Sequence, residues 1–107
     1  MVVRDDTSVR DLISENERVV IMFGASWCGP CKSFKPKFQK LSLENPDIVF
    51  AYCDADETSN FLAESKIQSV PTTFSYFCGN KHEDMVGDSI DRAKAMVESL
   101  RSAKSLV

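Results

Sequence analysis

The sequence contains no long apolar segment, no internal repeat and no low-complexity tract. Residues 1–6 become acidic within a few positions, so we expect neither a secretory signal nor a transmembrane helix here. Basic residues are not in excess, since the net charge is −3, and this argues against nucleic-acid binding. The four cysteines are unevenly spaced, unlike those of a disulfide scaffold. These absences predict a protein of a reducing compartment, the cytoplasm, that binds neither membranes nor nucleic acid.

The chain is long enough for one domain and too short for two, so we expect residues 1–107 to form a single domain. Apolar residues make up 43% of the chain and charged residues 27%, an ordinary balance for a globular protein. At this size roughly two thirds of the surface of the unfolded chain can be buried. A core can therefore form without disulfide bonds to support it.

Apolar periodicity predicts five strands and four helices in the order βαβαβαββα. The predicted strands are residues 2–3, 19–23, 48–53, 72–77 and 82–86. The predicted helices are residues 7–14, 28–43 and 58–64, with a last helix after Gly87 and Asp88. Residues 19–23 are continuously apolar, which is typical of a central strand buried on both faces. The order implies an α/β sandwich whose mixed sheet is parallel at first and antiparallel in its final hairpin.

Two helix N-termini carry candidate capping residues. Thr7 or Ser8 is expected to cap the first helix, with Asp11 in its first turn near the positive end of the helix dipole. Thr58 or Ser59 is expected to cap the third helix.

The segment Trp27-Cys28-Gly29-Pro30-Cys31 follows the central strand, so its two cysteines lie where a strand passes into a helix. The N-terminus of a helix stabilises an anion, which favours the thiolate of Cys28. Cys31 is one turn further into the helix and less exposed. These positions predict that Cys28 attacks a substrate disulfide, and that Cys31 then attacks the Cys28 sulfur and releases the reduced product.

Zinc sites use the same C-x-x-C spacing, so a zinc half-site is an alternative. Cys53, together with Cys78 or His82, would have to complete the ligand set. The chain has no second C-x-x-C, and Cys53 lies in an apolar strand, an unfavourable place for a ligand. We therefore expect no metal, with Cys53 buried as a small apolar residue, Cys78 exposed at a hairpin and His82 facing solvent.

The segment Trp27-Cys28-Gly29-Pro30-Cys31-Lys32 resembles the active-site motif of the thioredoxin family, and its C-G-P-C core is typical of thioredoxins proper. Similar positions extend over nearly the whole chain: Phe23, Ala25, Pro36, Asp54, Asp56, Val70-Pro71-Thr72 and Gly87. The resemblance implies a thioredoxin fold, with a central mixed sheet of four to five strands flanked by about four helices. It also implies a thiol–disulfide oxidoreductase that reduces protein disulfides through Cys28 and Cys31.

The resemblance also implies a surface that binds substrate. The Val70-Pro71 peptide bond would be cis and packed against the dithiol, and the Val70 backbone would pair with an extended substrate strand. The implied docking rim consists of Trp27, Gly29, Pro30, Val70, Pro71 and Gly87. The expected partners are oxidised proteins and a thioredoxin reductase drawing on NADPH, or a related thiol donor. The protein itself would be a monomer without a tightly bound cofactor.

Three positions depart from the family pattern. Met22 stands where most members carry a buried acidic residue that is thought to relay a proton for the resolving cysteine. Methionine cannot relay a proton, so resolution is either slower near neutral pH or uses water or another group; alternatively, Met22 simply fills the core. Tyr52 replaces a lysine that commonly neighbours that acid. Gly24 replaces a residue that is usually aromatic or polar, and is expected to leave room beside Trp27.

Two other functions fit the same motif. The first is a redox-gated adaptor, in which the dithiol is a sensor and little turnover occurs. The second is a dedicated electron donor to one peroxidase or reductase. Catalytic turnover of insulin disulfides separates an enzyme from an adaptor, whereas the sequence does not separate a dedicated donor from a general reductase.

Overall fold

The computed structural model describes residues 1–104, so the last three residues of the expected 1–107 domain lie outside the described range. The strands are β1 (Val2–Val3), β2 (Arg18–Gly24), β3 (Val49–Asp54), β4 (Thr72–Phe77) and β5 (Asn80–Val86). The helices are α1 (Asp6–Glu15), α2 (Gly29–Glu44), α3 (Ser59–Glu64) and α4 (Ile90–Arg101). The predicted order of elements is confirmed. Among residues 1–104, no helix combines the length and apolarity needed to cross a membrane.

The five strands form one mixed sheet in the order β1-β3-β2-β4-β5. Strand β3 pairs with β1 and β2 in parallel, whereas β4 runs antiparallel to both β2 and β5. The expected parallel first part and antiparallel last hairpin are therefore confirmed. The continuously apolar β2 lies at the centre, where both of its faces are covered, and its carboxyl end leads directly to the dithiol.

The sheet separates two apolar clusters. Helix α2 contributes Phe34, Phe38 and Leu41 to one cluster, which α4 completes and which also contains Cys28 and Cys31. Helices α1 and α3 cover the other face, whose cluster includes Cys53. Burying one large side chain of this kind contributes about 2–3 kcal/mol of hydrophobic free energy. The packing of α2 on the sheet therefore holds the dithiol against a rigid support.

The predicted cap of the first helix is wrong, and that of the third helix is correct in position only. Helix α1 is capped by Asp5, whose carboxylate accepts a hydrogen bond from the Ser8 backbone N–H, rather than by Thr7 or Ser8. Its first turn holds Asp6 instead of Asp11. Thr58 does occupy the N-cap of α3, but its hydroxyl donates to the Asp54 carbonyl instead of capping. The Asp6 carboxylate accepts from the backbone N–H of Phe61, which ties the start of α1 to α3.

Candidate active site

The dithiol is placed by the passage from β2 to α2. Cys28 is the N-cap residue of α2, and Cys31 lies in the first turn of the helix. The two are joined by a disulfide with their Cα atoms 5.3 Å apart. The backbone N–H of Cys31 points at the Cys28 sulfur, at 3.2 Å. Pro30 fits this first turn because no helix hydrogen bond needs its missing N–H.

The same N–H that meets the Cys28 sulfur would stabilise its thiolate in the reduced state. The helix dipole further favours negative charge at a helix N-terminus. Both cysteines are buried, with 2% of Cys31 and 5% of Cys28 accessible to solvent. The ordering of exposure agrees with the sequence prediction, although the difference is small. The assignment of Cys28 as the attacking residue therefore rests mainly on its position at the helix N-terminus.

The expected rim residues surround the dithiol. The Val70-Pro71 bond is cis, as the family resemblance implied, and the Val70 carbonyl oxygen lies 3.7 Å from the Cys28 sulfur. The backbone N–H of Gly87 donates to the Pro71 carbonyl at 2.9 Å, and this hydrogen bond holds the loop after β5 beside Pro71. Gly87 has φ of +110°, a conformation that residues with a side chain rarely adopt. Gly29 and Pro30 adjoin the dithiol within α2, so the six predicted rim residues lie around one site.

Trp27 is 68% exposed next to the disulfide. Its indole N–H donates to the carboxylate of Asp56 at 3.2 Å, and this contact orients the ring. The Asp56 backbone N–H in turn donates to the Asp54 carboxylate at 2.8 Å. The sequence prediction assigned no role to Asp56. The signal available was an aspartate two residues after the end of β3, at the same edge of the sheet as the dithiol.

Comparisons with known proteins place the chain in a family. The family model for thioredoxin matches residues 1–102. The chain belongs to the thioredoxin family. Thioredoxin-1 of Schizosaccharomyces pombe is 33% identical over 97 residues, which cover 91% of this chain and 94% of that protein. The oxidised crystal structure of mitochondrial thioredoxin 3 from Saccharomyces cerevisiae aligns with a TM-score of 0.88 and 31% identity, over 94% of each chain. A Plasmodium falciparum thioredoxin structure has the same TM-score at 31% identity, over 95% of this chain and 98% of that one.

Membership of the family and the active-site cysteine pair together identify the chain as a thiol–disulfide oxidoreductase. The adaptor and dedicated-donor alternatives are not favoured.

The two remaining cysteines lie apart from the dithiol. Cys53 is buried on the opposite face of the sheet, and burial raises the pKa of its thiol to about 12. Cys78 is exposed at the turn between β4 and β5, and the exposed His82 contacts the Ser99 hydroxyl at 3.1 Å. In residues 1–104, no cluster of three or more His, Cys, Asp or Glu side chains could hold a metal.

Behind the dithiol, Met22 occupies the position of the usual acid in this thioredoxin-family chain. It is fully buried in the cluster that contains both active-site cysteines. Its cross-strand neighbours in the sheet are Tyr52 of β3 and Thr73 of β4. The Thr73 hydroxyl is buried and has no hydrogen-bond partner within the described residues. Met22 and Tyr52 thus lie at the positions that the family resemblance assigns to an acid and a lysine. Thr73 adds a second hydroxyl on the other side of Met22.

Gly24 does not leave room beside Trp27, and this expectation is corrected. The space above Gly24 is filled by the ring of Tyr52, whose Cε1 atom lies 2.9 Å and whose hydroxyl lies 3.0 Å from where a Cβ atom would be. The ammonium group of Lys35 lies 3.8 Å from the centre of the same ring. Gly24 and Tyr52 are therefore one linked departure from the family pattern, because the missing side chain makes space for the added ring.

We expect Gly24→Ala to destabilise the protein by about 1 kcal/mol, because the new methyl group has to displace the Tyr52 ring. In a Tyr52→Ala background the same change should be neutral or stabilise by about 0.5 kcal/mol, since alanine has less conformational freedom than glycine in the unfolded chain. Urea denaturation of the two single variants and the double variant measures this coupling. Equal effects of Gly24→Ala in both backgrounds would contradict the linkage.

Proposed function

We propose that this thioredoxin-family protein reduces protein disulfides with Cys28 as the attacking and Cys31 as the resolving residue. The Cys28 thiolate attacks one sulfur of a substrate disulfide, and the other substrate sulfur leaves as a thiolate that takes up a proton. Cys31 loses its proton and attacks the Cys28 sulfur, which releases the second substrate thiol. The substrate is reduced by two electrons, and Cys28–Cys31 is left as a disulfide. The observation that carries this assignment is the Cys31 N–H directed at the Cys28 sulfur at the N-terminus of α2.

Substrate would dock as an extended strand on the rim of Trp27, Gly29, Pro30, Val70, Pro71 and Gly87. The short distance between the Val70 carbonyl and the Cys28 sulfur supports this proposal, because a strand paired with Val70 would pass over the attacking atom. The exposed Trp27 ring offers a flat apolar contact without requiring a particular substrate sequence. Such a surface suits many oxidised proteins.

The electron source that we propose is a thioredoxin reductase drawing on NADPH, or a related thiol donor, with no cofactor bound by this chain. Thioredoxin relatives support this partner, since a disulfide left in the protein has to be reduced before the next cycle. We propose further that residues 1–107 act as one monomeric domain in the cytoplasm. A mitochondrial thioredoxin among the relatives makes the mitochondrion the competing location, and imaging of the tagged chain distinguishes the two.

The test is reduction of insulin disulfides with thioredoxin reductase and NADPH, followed as NADPH oxidation. We expect catalytic turnover by the unaltered chain and by Cys78→Ser, a matched control that removes the exposed thiol outside the site. Cys28→Ser and Cys31→Ser should both lose it. Turnover with dithiothreitol but not with the reductase would refute the reductase as the electron source and leave a thiol donor in its place. No turnover with either donor would refute the proposed reduction of protein disulfides.

A further inference from the structure

A cavity of about 270 Å³ opens to solvent beside the resolving cysteine. Cys31 and Tyr52 lie on its wall together, with Ala25 at the junction between β2 and α2. One water molecule takes up about 30 Å³ in the liquid, so the cavity has room for several. Cys31 therefore borders a space that can hold water, although Met22, which belongs to the same apolar cluster, offers no proton acceptor.

The position of Tyr52 in this cavity is fixed from two sides. Its ring tip lies over Gly24 at the carboxyl end of β2, and the Lys35 ammonium packs on its face at 3.8 Å. The pKa of Tyr52 is raised mainly by partial burial of the side chain and secondly by the negative charge of Asp54. The phenol therefore keeps its proton at neutral pH and can donate a hydrogen bond. A side chain with an oxygen donor thus occupies the wall that leads to Cys31.

We propose that Tyr52 is a positioning residue for the resolving step, and that its hydroxyl orients the cavity water that receives the Cys31 proton. In that step the Cys31 sulfur forms a bond to the Cys28 sulfur, and the bond between Cys28 and the substrate sulfur breaks. The substrate sulfur leaves with the electron pair. The Cys31 proton passes to cavity water and then, through solvent, to the leaving thiolate. The inference rests on Cys31 being the resolving residue.

Three basic side chains and two carboxylates border the cavity. Lys32 and Lys35 come from α2, whereas Arg4 comes from the segment after β1 and pairs with Glu57 at 3.4 Å. Asp54, at the end of β3, is the other carboxylate on the wall. The N-terminal amine of the chain belongs to Met1, which lines an adjoining pocket with Tyr52 and Lys35. Tyr52→Phe leaves all of these groups in place, so a difference between the two pH profiles reports the loss of the hydroxyl.

The test uses an aromatic disulfide, dithiobis(nitrobenzoate), and the reduced chain carrying Cys78→Ser, which removes the exposed competing thiol. Cys28 releases one coloured thiolate, and Cys31 releases the second when it resolves the mixed disulfide. Stopped-flow absorbance then gives the rate of each step as a function of pH. Neither a reductase nor a protein substrate takes part, so this test and the insulin test can fail independently.

Tyr52→Phe removes the hydroxyl and keeps the ring beneath Lys35. Tyr76→Phe is the matched control, because Tyr76 is buried in the cluster on the opposite face of the sheet. We expect Tyr52→Phe to raise the midpoint of the pH profile of the second step by about one unit, and to slow that step about tenfold below the midpoint. The first step and Tyr76→Phe should keep their profiles. Superimposable second-step profiles for Tyr52→Phe and the parent, or an equal shift in Tyr76→Phe, would overturn the proposal.

Discussion

A Cys31→Ser variant is expected to stop halfway through the reaction, with its substrate held on Cys28 by a disulfide. The backbone N–H of residue 31 still points at the Cys28 sulfur after the change, so Cys28 should keep its reactivity. A serine hydroxyl does not form the nucleophile that the second step needs. Because Cys28 and Cys31 act as one catalytic unit, we expect the loss of Cys31 alone to lower steady-state turnover roughly 10³-fold or more.

The trapped species is measured by intact mass after mixing the variant with an oxidised protein substrate. The added mass should disappear on treatment with dithiothreitol. In a Cys78→Ser background, which removes the exposed competing thiol, Cys31→Ser should still trap the substrate, whereas Cys28→Ser should trap nothing. A covalent adduct that persists in the Cys28→Ser, Cys31→Ser double variant would locate the reactive thiol at Cys53 or Cys78 and contradict the proposed roles.

The dithiol and the central strand could be predicted from the sequence because their signals are local. The apolar run of β2 is continuous, and the two cysteines follow it at a spacing that allows a disulfide across one helical turn. The proposed assignment of Cys28 as the attacking residue also rests on local position, since Cys28 and not Cys31 is the N-cap of α2. The placement of Val70 and Pro71 beside the dithiol came from the family resemblance alone.

The contact between Gly24 and Tyr52 could not be predicted in the same way. The two residues belong to different strands, and the register pairs Tyr52 with Met22, two positions before Gly24. Only the direction of the ring along β2 brings its tip over Gly24. The cap of α1 was wrong for a related reason, because Asp5, Thr7 and Ser8 all offer a side-chain oxygen and the backbone path chooses among them.

A Met22→Asp variant, which restores an acid at position 22, should lower the stability of the protein and change the rate of the resolving step. Met22 is fully buried, so the change removes apolar packing and places a carboxyl group in the core. We expect the free energy of unfolding to fall by about 3–5 kcal/mol near neutral pH. Met22→Leu, the matched control, should cost less than about 1.5 kcal/mol. Urea denaturation measures both changes.

The stability lost in Met22→Asp should be smaller in acid than near neutral pH. Burial raises the pKa of the new carboxyl group above its unfolded value of about 3.9, so the folded state binds the proton more tightly. Stability therefore falls as pH rises from the unfolded pKa to the folded one, and the loss is smaller in acid. The unpartnered hydroxyl of Thr73, on the neighbouring strand, can donate to the new carboxylate and limit the cost. A loss that is independent of pH would mean that the carboxyl group reaches solvent.

The same variant tests the proton route when the second step is followed between about pH 6 and pH 9, in Cys78→Ser chains that remain folded. A carboxylate at position 22 would lie in the apolar cluster of Cys31 and could receive its proton directly. We then expect faster resolution near neutral pH than with Met22, and a smaller effect of Tyr52→Phe in this background. Identical pH profiles with Met22 and Asp at position 22 would mean that the methionine only fills the core. A full Tyr52→Phe effect in both backgrounds would mean that the water route carries the proton even when a carboxylate is available.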